Sequence, residues 1–95
     1  MLLKQSMVDA LNRQVNEEFS ASAQYIAIAL HFDSETLPQL AQYFHAQAVE
    51  EHGHAMKLLQ YITDAGGKAL VPATKEPKNH FETAEEPVQL ALNQE

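Results

Sequence analysis

Residues 50–54 read Glu-Glu-His-Gly-His and lie in the middle of a long stretch with helical periodicity. Glu51 and His54 are three residues apart, so on an α-helix they project from one face, where a carboxylate oxygen and an imidazole nitrogen can bind the same metal ion. A second carboxylate, Glu18, lies in another apolar-periodic stretch and turns toward the face that should be buried. Because an unpaired buried carboxylate costs several kcal/mol, these side chains need a partner, and a metal ion would supply one.

The apolar positions predict two long helices joined by a short turn. The first is predicted over residues 6–31, because no proline or glycine interrupts it and Ser6 with Asp9 has the spacing of a capping box. The second is predicted over residues 37–65, with two glycines directly after it. Since the turn between them is short, the two helices should be antiparallel neighbours.

The heights of the candidate ligands on this hairpin can be compared. At a rise of ~1.5 Å per residue, Glu18 lies ~20 Å from the turn on the first helix. Glu51 and His54 lie ~20–25 Å from the turn on the second helix by the same measure. The three candidate ligands are therefore predicted to lie at one level.

A long connection and a third helix follow. Residues 66–83 contain two prolines, several charges and no helical period, which indicates a crossover. Fully extended, this segment reaches ~60 Å, whereas the second helix is only ~42 Å long, so the next helix can run parallel to the second. That third helix is predicted from residue 84, with Thr83 and Glu86 as a capping box. Its apolar pattern has reached only Glu95 when the sequence ends.

Composition excludes several classes of function. The chain has 95 residues, which predicts at most one small domain. With 13 acidic and 6 basic residues its net charge is −7, which argues against binding to nucleic acid or to an anionic membrane. Cysteine is absent, which excludes disulfides and thiolate metal sites. No apolar run is long enough for a signal peptide or a membrane span, so we expect a soluble, cytoplasmic protein.

Three stretches carry a family resemblance: NEEFSASAQY at 16–25, FDSETLPQL at 32–40 and QAVEEHGHA at 47–55. Together they resemble the first two helices of a bacterial non-haem ferritin. The resemblance covers the whole chain but corresponds to only the first half of a ferritin subunit. It implies an all-α, ferritin-like fold: an antiparallel helical hairpin, which is half of a four-helix bundle, followed by a long crossover and the start of a third helix.

The same resemblance implies roles for individual residues. Glu18 and His54 would be ligands of a first iron, Glu51 would bridge two irons, and Glu95 would match the third-helix ligand of the second iron. Tyr25 would be the buried tyrosine beside the site, where it either hydrogen-bonds a ligand carboxylate or acts as a redox partner in catalysis.

The function implied is iron storage and detoxification. A di-iron ferroxidase centre would oxidise Fe(II) to Fe(III) with O2 or H2O2, and the product would be stored as mineral in the hollow of a 24-subunit cage. An oxygen-rich ligand set with one imidazole per metal suits this chemistry, because it binds Fe(II) and stabilises Fe(III) by charge.

Alternatives stay open at this point. Either the residues belong to a longer ferritin, or two copies pair as a dimeric four-helix bundle with two Glu and two Glu-x-x-His motifs; both are homo-oligomers. The chain could also be a structural, assembly-forming hairpin with a vestigial metal site. A further alternative is a ferritin-like di-iron peroxidase.

Overall fold

The computed structural model describes residues 3–94, which form three helices and, within that range, no strand. Helix α1 spans Gln5–Ser34, α2 spans Pro38–Asp64 and α3 spans Glu85–Gln94. The first two form an antiparallel hairpin, and the whole measures 50 × 19 × 19 Å. The all-α, hairpin-based fold class is therefore confirmed.

The helix bounds differ from the expected ones by up to three residues. Helix α1 continues past His31 to Ser34, because neither proline nor glycine interrupts the chain before Pro38. The expected cap at Ser6 was wrong, since Ser6 lies inside α1 and the N-cap residue is Lys4, which makes no side-chain cap bond. Helix α2 is one residue shorter than expected at each end, and α3 begins one residue later.

The hairpin helices both end in the same left-handed motif. After α1, Thr36 has a φ of 61°, and the N–H of the next residue donates to the carbonyl of Phe32 at 2.9 Å. After α2, Gly66 has a φ of 83°, and the following N–H donates to the carbonyl of Ile62 at 2.9 Å. Such bonds satisfy carbonyls that a helix end leaves without a partner.

The hairpin core consists of two apolar clusters separated along the helix axes. The cluster near the turn contains Ala21, Tyr25, Ile28, Ala29, Phe32, Ala41, Phe44 and Ala48. The cluster near the open end contains Val8, Val15, Ala55 and Ile62. The interval between them covers residues 16–20 on α1 and 49–54 on α2. The candidate ligands Glu18, Glu51 and His54 lie in this interval.

The crossover between α2 and α3 runs along the surface of α1. The side-chain amide of Asn12 donates to the carbonyl of Lys68 at 2.9 Å and accepts the N–H of Leu70 at 3.0 Å. Further along, the amide of Gln24 makes the same kind of two-point contact with the backbone of Lys78. These contacts carry the chain from the open end of the hairpin to the end with the turn.

Helix α3 then returns along the hairpin. Its capping box is confirmed, since the Glu86 carboxylate accepts the Thr83 N–H at 3.2 Å and the Thr83 hydroxyl accepts the Glu86 N–H at 3.3 Å. Val88 lines a cavity with Tyr43 of α2, and Gln94 lines a cavity with residues of α1 at the level of the candidate ligands. None of the helices within residues 3–94 is long and apolar enough to cross a membrane.

Candidate metal centre

The hairpin brings Glu18, Glu51 and His54 together. Glu18 projects from α1, and Glu51 and His54 project from one face of α2. His54 Nδ1 lies 3.7 Å from Glu18 Oε2 and 3.6 Å from Glu51 Oε2. One potential ligand atom of each residue lies within 4.8 Å of the others. Three donors at this separation can contact one metal ion or flank two.

The two carboxylates are more sheltered than the imidazole. The side chains of Glu18 and Glu51 are 17% and 21% exposed, whereas that of His54 is 47% exposed. The carboxylates therefore lie in the groove between the helices, and the imidazole lies at its rim. A cation can therefore reach all three side chains from the solvent at this rim.

The pKa values of the two carboxyl groups move in opposite directions. A hydrogen bond with Glu18, together with burial and the Glu18 charge, raises the pKa of Glu51 to about 7. The same hydrogen bond lowers the pKa of Glu18, although burial opposes this. His54 favours the charged form of both groups. Two carboxylates this close disfavour each other's ionisation, and a bound cation would favour the ionised form of both.

Gln14 adds a contact that the sequence analysis missed. Its side-chain N–H donates to Glu18 Oε1 at 3.0 Å, while the other oxygen, Oε2, is the one near His54. The signal was available, because a glutamine four residues before an acid on a helix can reach it. Gln14 fixes the orientation of the Glu18 carboxylate.

The other two predicted site residues are Tyr25 and Glu95. Tyr25 is buried, at 2% exposed, and its ring lies with its centroid 6.0 Å from that of Phe44. It is two helical turns, ~10 Å, from Glu18 toward the turn. Glu95 lies outside the described residues. Within residues 3–94, no second group of three or more acidic or histidine side chains is close enough to hold a metal ion.

A family model decides how this arrangement is classified. The model of the ferritin-like domain matches residues 8–95. The chain belongs to the ferritin-like family. The earlier resemblance is thereby shown for nearly the whole chain.

Relatives agree with this classification. This ferritin-like chain is 46% identical over 85 residues to the ferritin BfrB of Mycobacterium tuberculosis, covering 90% of this chain and 47% of that protein. It is 49% identical over 82 residues to the ferritin BfrB of Mycolicibacterium smegmatis, covering 86% and 45%. A bacterial non-heme ferritin of Staphylococcus saprophyticus is 37% identical over 94 residues, covering 99% and 56%. The chain thus spans about half the length of the curated relatives it matches.

Solved structures show the same fold. The open pore ferritin of the archaeon Archaeoglobus fulgidus superimposes with a TM-score of 0.91 at 29% identity, covering 97% of this chain and 56% of that one. A ferritin of Chlorobium tepidum also gives a TM-score of 0.91, at 32% identity and with the same coverage.

The donor set of this ferritin-like chain fits iron. Carboxylate oxygens are hard ligands and imidazole is a borderline one, a combination that divalent first-row metals accept and that leaves open positions for small molecules. The paired carboxylates also concentrate negative charge at the level where the ion would bind. The residues present can therefore hold Fe(II), with His54 at the entrance.

Proposed function

We propose that this ferritin-like chain binds Fe(II) as a substrate at Glu18, Glu51 and His54 and takes part in its oxidation and storage. One observation carries the proposal: α1 and α2 place three metal-ligand atoms within 4.8 Å of one another in a gap between two apolar clusters. If this cluster had no function, apolar residues in place of the two carboxylates would make the folded protein more stable.

The three ligands have different tasks. Glu18 and His54 hold the first iron, and Glu51 lies between this iron and a second one. Glu95, which follows Gln94 in sequence, is the proposed ligand of the second iron, and Tyr25 is the proposed tyrosine beside the site. These assignments rest on the family resemblance, and the contacts of Glu18, Glu51 and His54 support them.

The reaction we propose is the oxidation of two Fe(II) ions. Each ion gives one electron, so that one O2 and two protons become H2O2, or one H2O2 and two protons become two waters. Carboxylates favour the product, because their charge stabilises Fe(III) more than Fe(II). Glu51 releases its proton when iron binds, since a ligand carboxylate must be ionised.

We propose that the protein works in a homo-oligomer and stores the ferric product as mineral in a cage. Hairpins alone leave the open side of the site uncovered. Helix α3 supports the cage arrangement over a dimeric four-helix bundle, because Val88, Ala91 and Leu92 already line a cavity with Tyr43 beside the hairpin. A second hairpin docking there symmetrically would need the place that α3 takes.

Anaerobic titration with Fe(II), followed by native mass spectrometry and by oxygen uptake on aeration, tests this function. We expect the wild type to bind iron, and Glu18→Gln and His54→Ala each to lower the affinity at least tenfold and to slow oxygen uptake. Glu50→Gln is the matched control, since Glu50 is an exposed acid next to Glu51. Iron binding that is equal in all four proteins would rule out this site.

The same experiments, repeated with H2O2 in place of O2, separate the remaining alternatives. Two irons per chain in a large assembly fit the cage, and two irons per pair of chains fit the dimeric bundle. An assembled protein that binds no iron fits a structural hairpin with a vestigial site. Faster consumption of H2O2 than of O2 fits the peroxidase.

A further inference from the structure

We infer that Gln24 is a positioning residue that sets the register of α3 against the metal centre by holding the crossover backbone at Lys78. The inference deepens the proposed function and rests on it for the role of α3 at the iron site. The effect of Gln24 on α3 can also be tested without iron.

Gln24 is unusual in being polar and buried. Within residues 3–94, Ser22 and Gln24 are the buried polar side chains, and Gln24 is 7% exposed. Its amide N–H donates to the Lys78 carbonyl at 3.0 Å, and its amide oxygen accepts the Lys78 N–H at 2.8 Å. The nitrogen and the oxygen of the Gln24 side-chain amide are therefore both bound to one residue of the crossover. These two hydrogen bonds fix the position of Lys78 relative to α1.

From Lys78 the constraint continues directly into α3. The Lys78 ammonium lies 2.6 Å from Glu86 Oε2, and Glu86 Oε1 accepts the backbone N–H groups of Glu82 and Thr83. Glu86 belongs to the first turn of α3 and closes its capping box. Gln24 thus connects α1 to the start of α3 through the backbone of Lys78 and the side chain of Glu86.

Helix α3 depends on this connection because its own packing is weak. Of its residues, only Pro87 is buried. A helix of ten residues is marginal in water without tertiary contacts. At its other end, Gln94 lines a cavity of about 130 Å³ with Gln24 itself and with Glu17 of α1. Gln24 is therefore linked to the first turn of α3 through Lys78 and lies beside the last residue of the helix.

A change in the register of α3 would affect the metal centre. A slip of one residue rotates a helix by about 100° and moves it ~1.5 Å along its axis. In the proposed function, Glu95, which directly follows Gln94 in sequence, is a ligand of the second iron, so such a slip would displace a proposed ligand. The contact between Gln24 and Lys78 prevents the slip without touching iron.

Asn12 offers a matched control. Its amide binds the crossover backbone in the same two-point manner, through the carbonyl of Lys68 and the N–H of Leu70. It acts at the open end of the hairpin, far along the chain from α3. Loss of the Asn12 contact should loosen the crossover near Lys68 and leave α3 in place.

The test compares Gln24→Met and Asn12→Leu, each close in volume to the original side chain, by hydrogen exchange and by anaerobic Fe(II) titration. We expect Gln24→Met to raise amide exchange in residues 85–94 at least tenfold and to weaken binding of the second Fe(II) about tenfold. Exchange in α1 and α2 should stay as in the wild type. Asn12→Leu should raise exchange only near residues 68–70 and leave iron affinity unchanged.

Three results would overturn the inference: unchanged exchange of α3 in Gln24→Met, unchanged affinity for the second iron despite faster exchange, or an equal loss of affinity in Asn12→Leu. If Gln24→Met does not fold, Gln24→Glu replaces it, because Glu keeps the acceptor for the Lys78 N–H and puts a second acceptor, which cannot bond, against the Lys78 carbonyl. It should change the exchange of α3 in the same direction. If the wild type binds no iron, the proposed function fails, and exchange alone then decides whether Gln24 holds α3.

Discussion

The carboxyl group of Glu51 makes the stability of the iron-free protein depend on pH. Its pKa is about 7 in the folded protein, above the value of 4.5 expected for an unfolded chain, because of the hydrogen bond with Glu18 and burial. The folded state therefore binds more protons than the unfolded state between about pH 4.5 and 7. This contribution to the free energy of unfolding is full below that window, falls as pH rises through it and is lost above pH 7.

We expect Glu51→Gln to remove this pH dependence. Glutamine supplies an amide N–H that can donate to Glu18 in place of the carboxylic O–H, and it does not titrate. Urea unfolding of the iron-free proteins at half-unit intervals from pH 5 to 8 measures the effect. The wild type should lose stability toward pH 7 relative to the variant, and parallel curves would show that Glu51 does not hold a proton in the folded state. Glu18, whose pKa is lowered, acts in the opposite direction but only at lower pH.

Gln14 should affect iron binding without contacting iron. Since it holds one oxygen of Glu18 at 3.0 Å, Gln14→Leu should free the carboxylate to rotate and weaken Fe(II) binding about tenfold, the lower end of what such supporting contacts contribute. Isothermal titration under anaerobic conditions measures it. The control is Gln60→Leu, because Gln60 makes the same contact with Asp64, at 2.8 Å, away from the site. Equal effects in both variants would assign the change to helix stability.

At the scale of the elements, the C-terminal ends of α1 and α2 have the same left-handed motif, but a different residue type adopts the left-handed conformation in each. Thr36 adopts a left-handed φ of 61° where the equivalent position after α2 is Gly66, with a φ of 83°. A β-branched residue is strained in this region, whereas glycine is not. The turn between α1 and α2 is thus the less favourable of the two ends.

We expect opposite results from exchanging the two residues. Thr36→Gly should raise the free energy of unfolding by about 0.5–1 kcal/mol, since relief of the left-handed strain exceeds the extra entropy of the unfolded chain. Gly66→Thr should lower it by about 1–2 kcal/mol for the same reason. Thermal unfolding at one fixed pH gives both values. A loss of stability in Thr36→Gly would mean that the Thr36 side chain contributes more than its backbone costs.

The elements also show where prediction from sequence reached its limit. Helical period and spacing were enough to bring Glu18, Glu51 and His54 to one level, because their positions depend on regular helix geometry. The path of the crossover was not predictable in the same way. It depends on contacts such as that of Gln24 with Lys78, which lies 54 residues away in sequence. Irregular backbone has no hydrophobic periodicity from which such contacts could be predicted. The true start of α1 was missed because Lys4 makes no side-chain cap bond.

At the scale of the whole molecule, residues 3–94 leave many large apolar side chains exposed. Large side chains such as Tyr43, Leu92, Tyr61 and Val49 are 53–72% exposed. Two of them, Tyr43 and Leu92, line a cavity of about 210 Å³ between α2 and α3. Exposed apolar side chains around such a cavity are typical of a surface that another protein segment covers.

We therefore expect association to depend on this surface. Leu92→Glu would place a charge among apolar side chains and should shift the protein toward smaller species in sedimentation velocity, by at least tenfold in the association constant, because burying an unpaired charge there is costly. Gln89→Glu is the control. Gln89 is an exposed residue of the same helix, and its substitution adds the same charge outside the cavity. If Leu92→Glu sediments as the wild type does, the cavity between α2 and α3 is not part of a contact between chains.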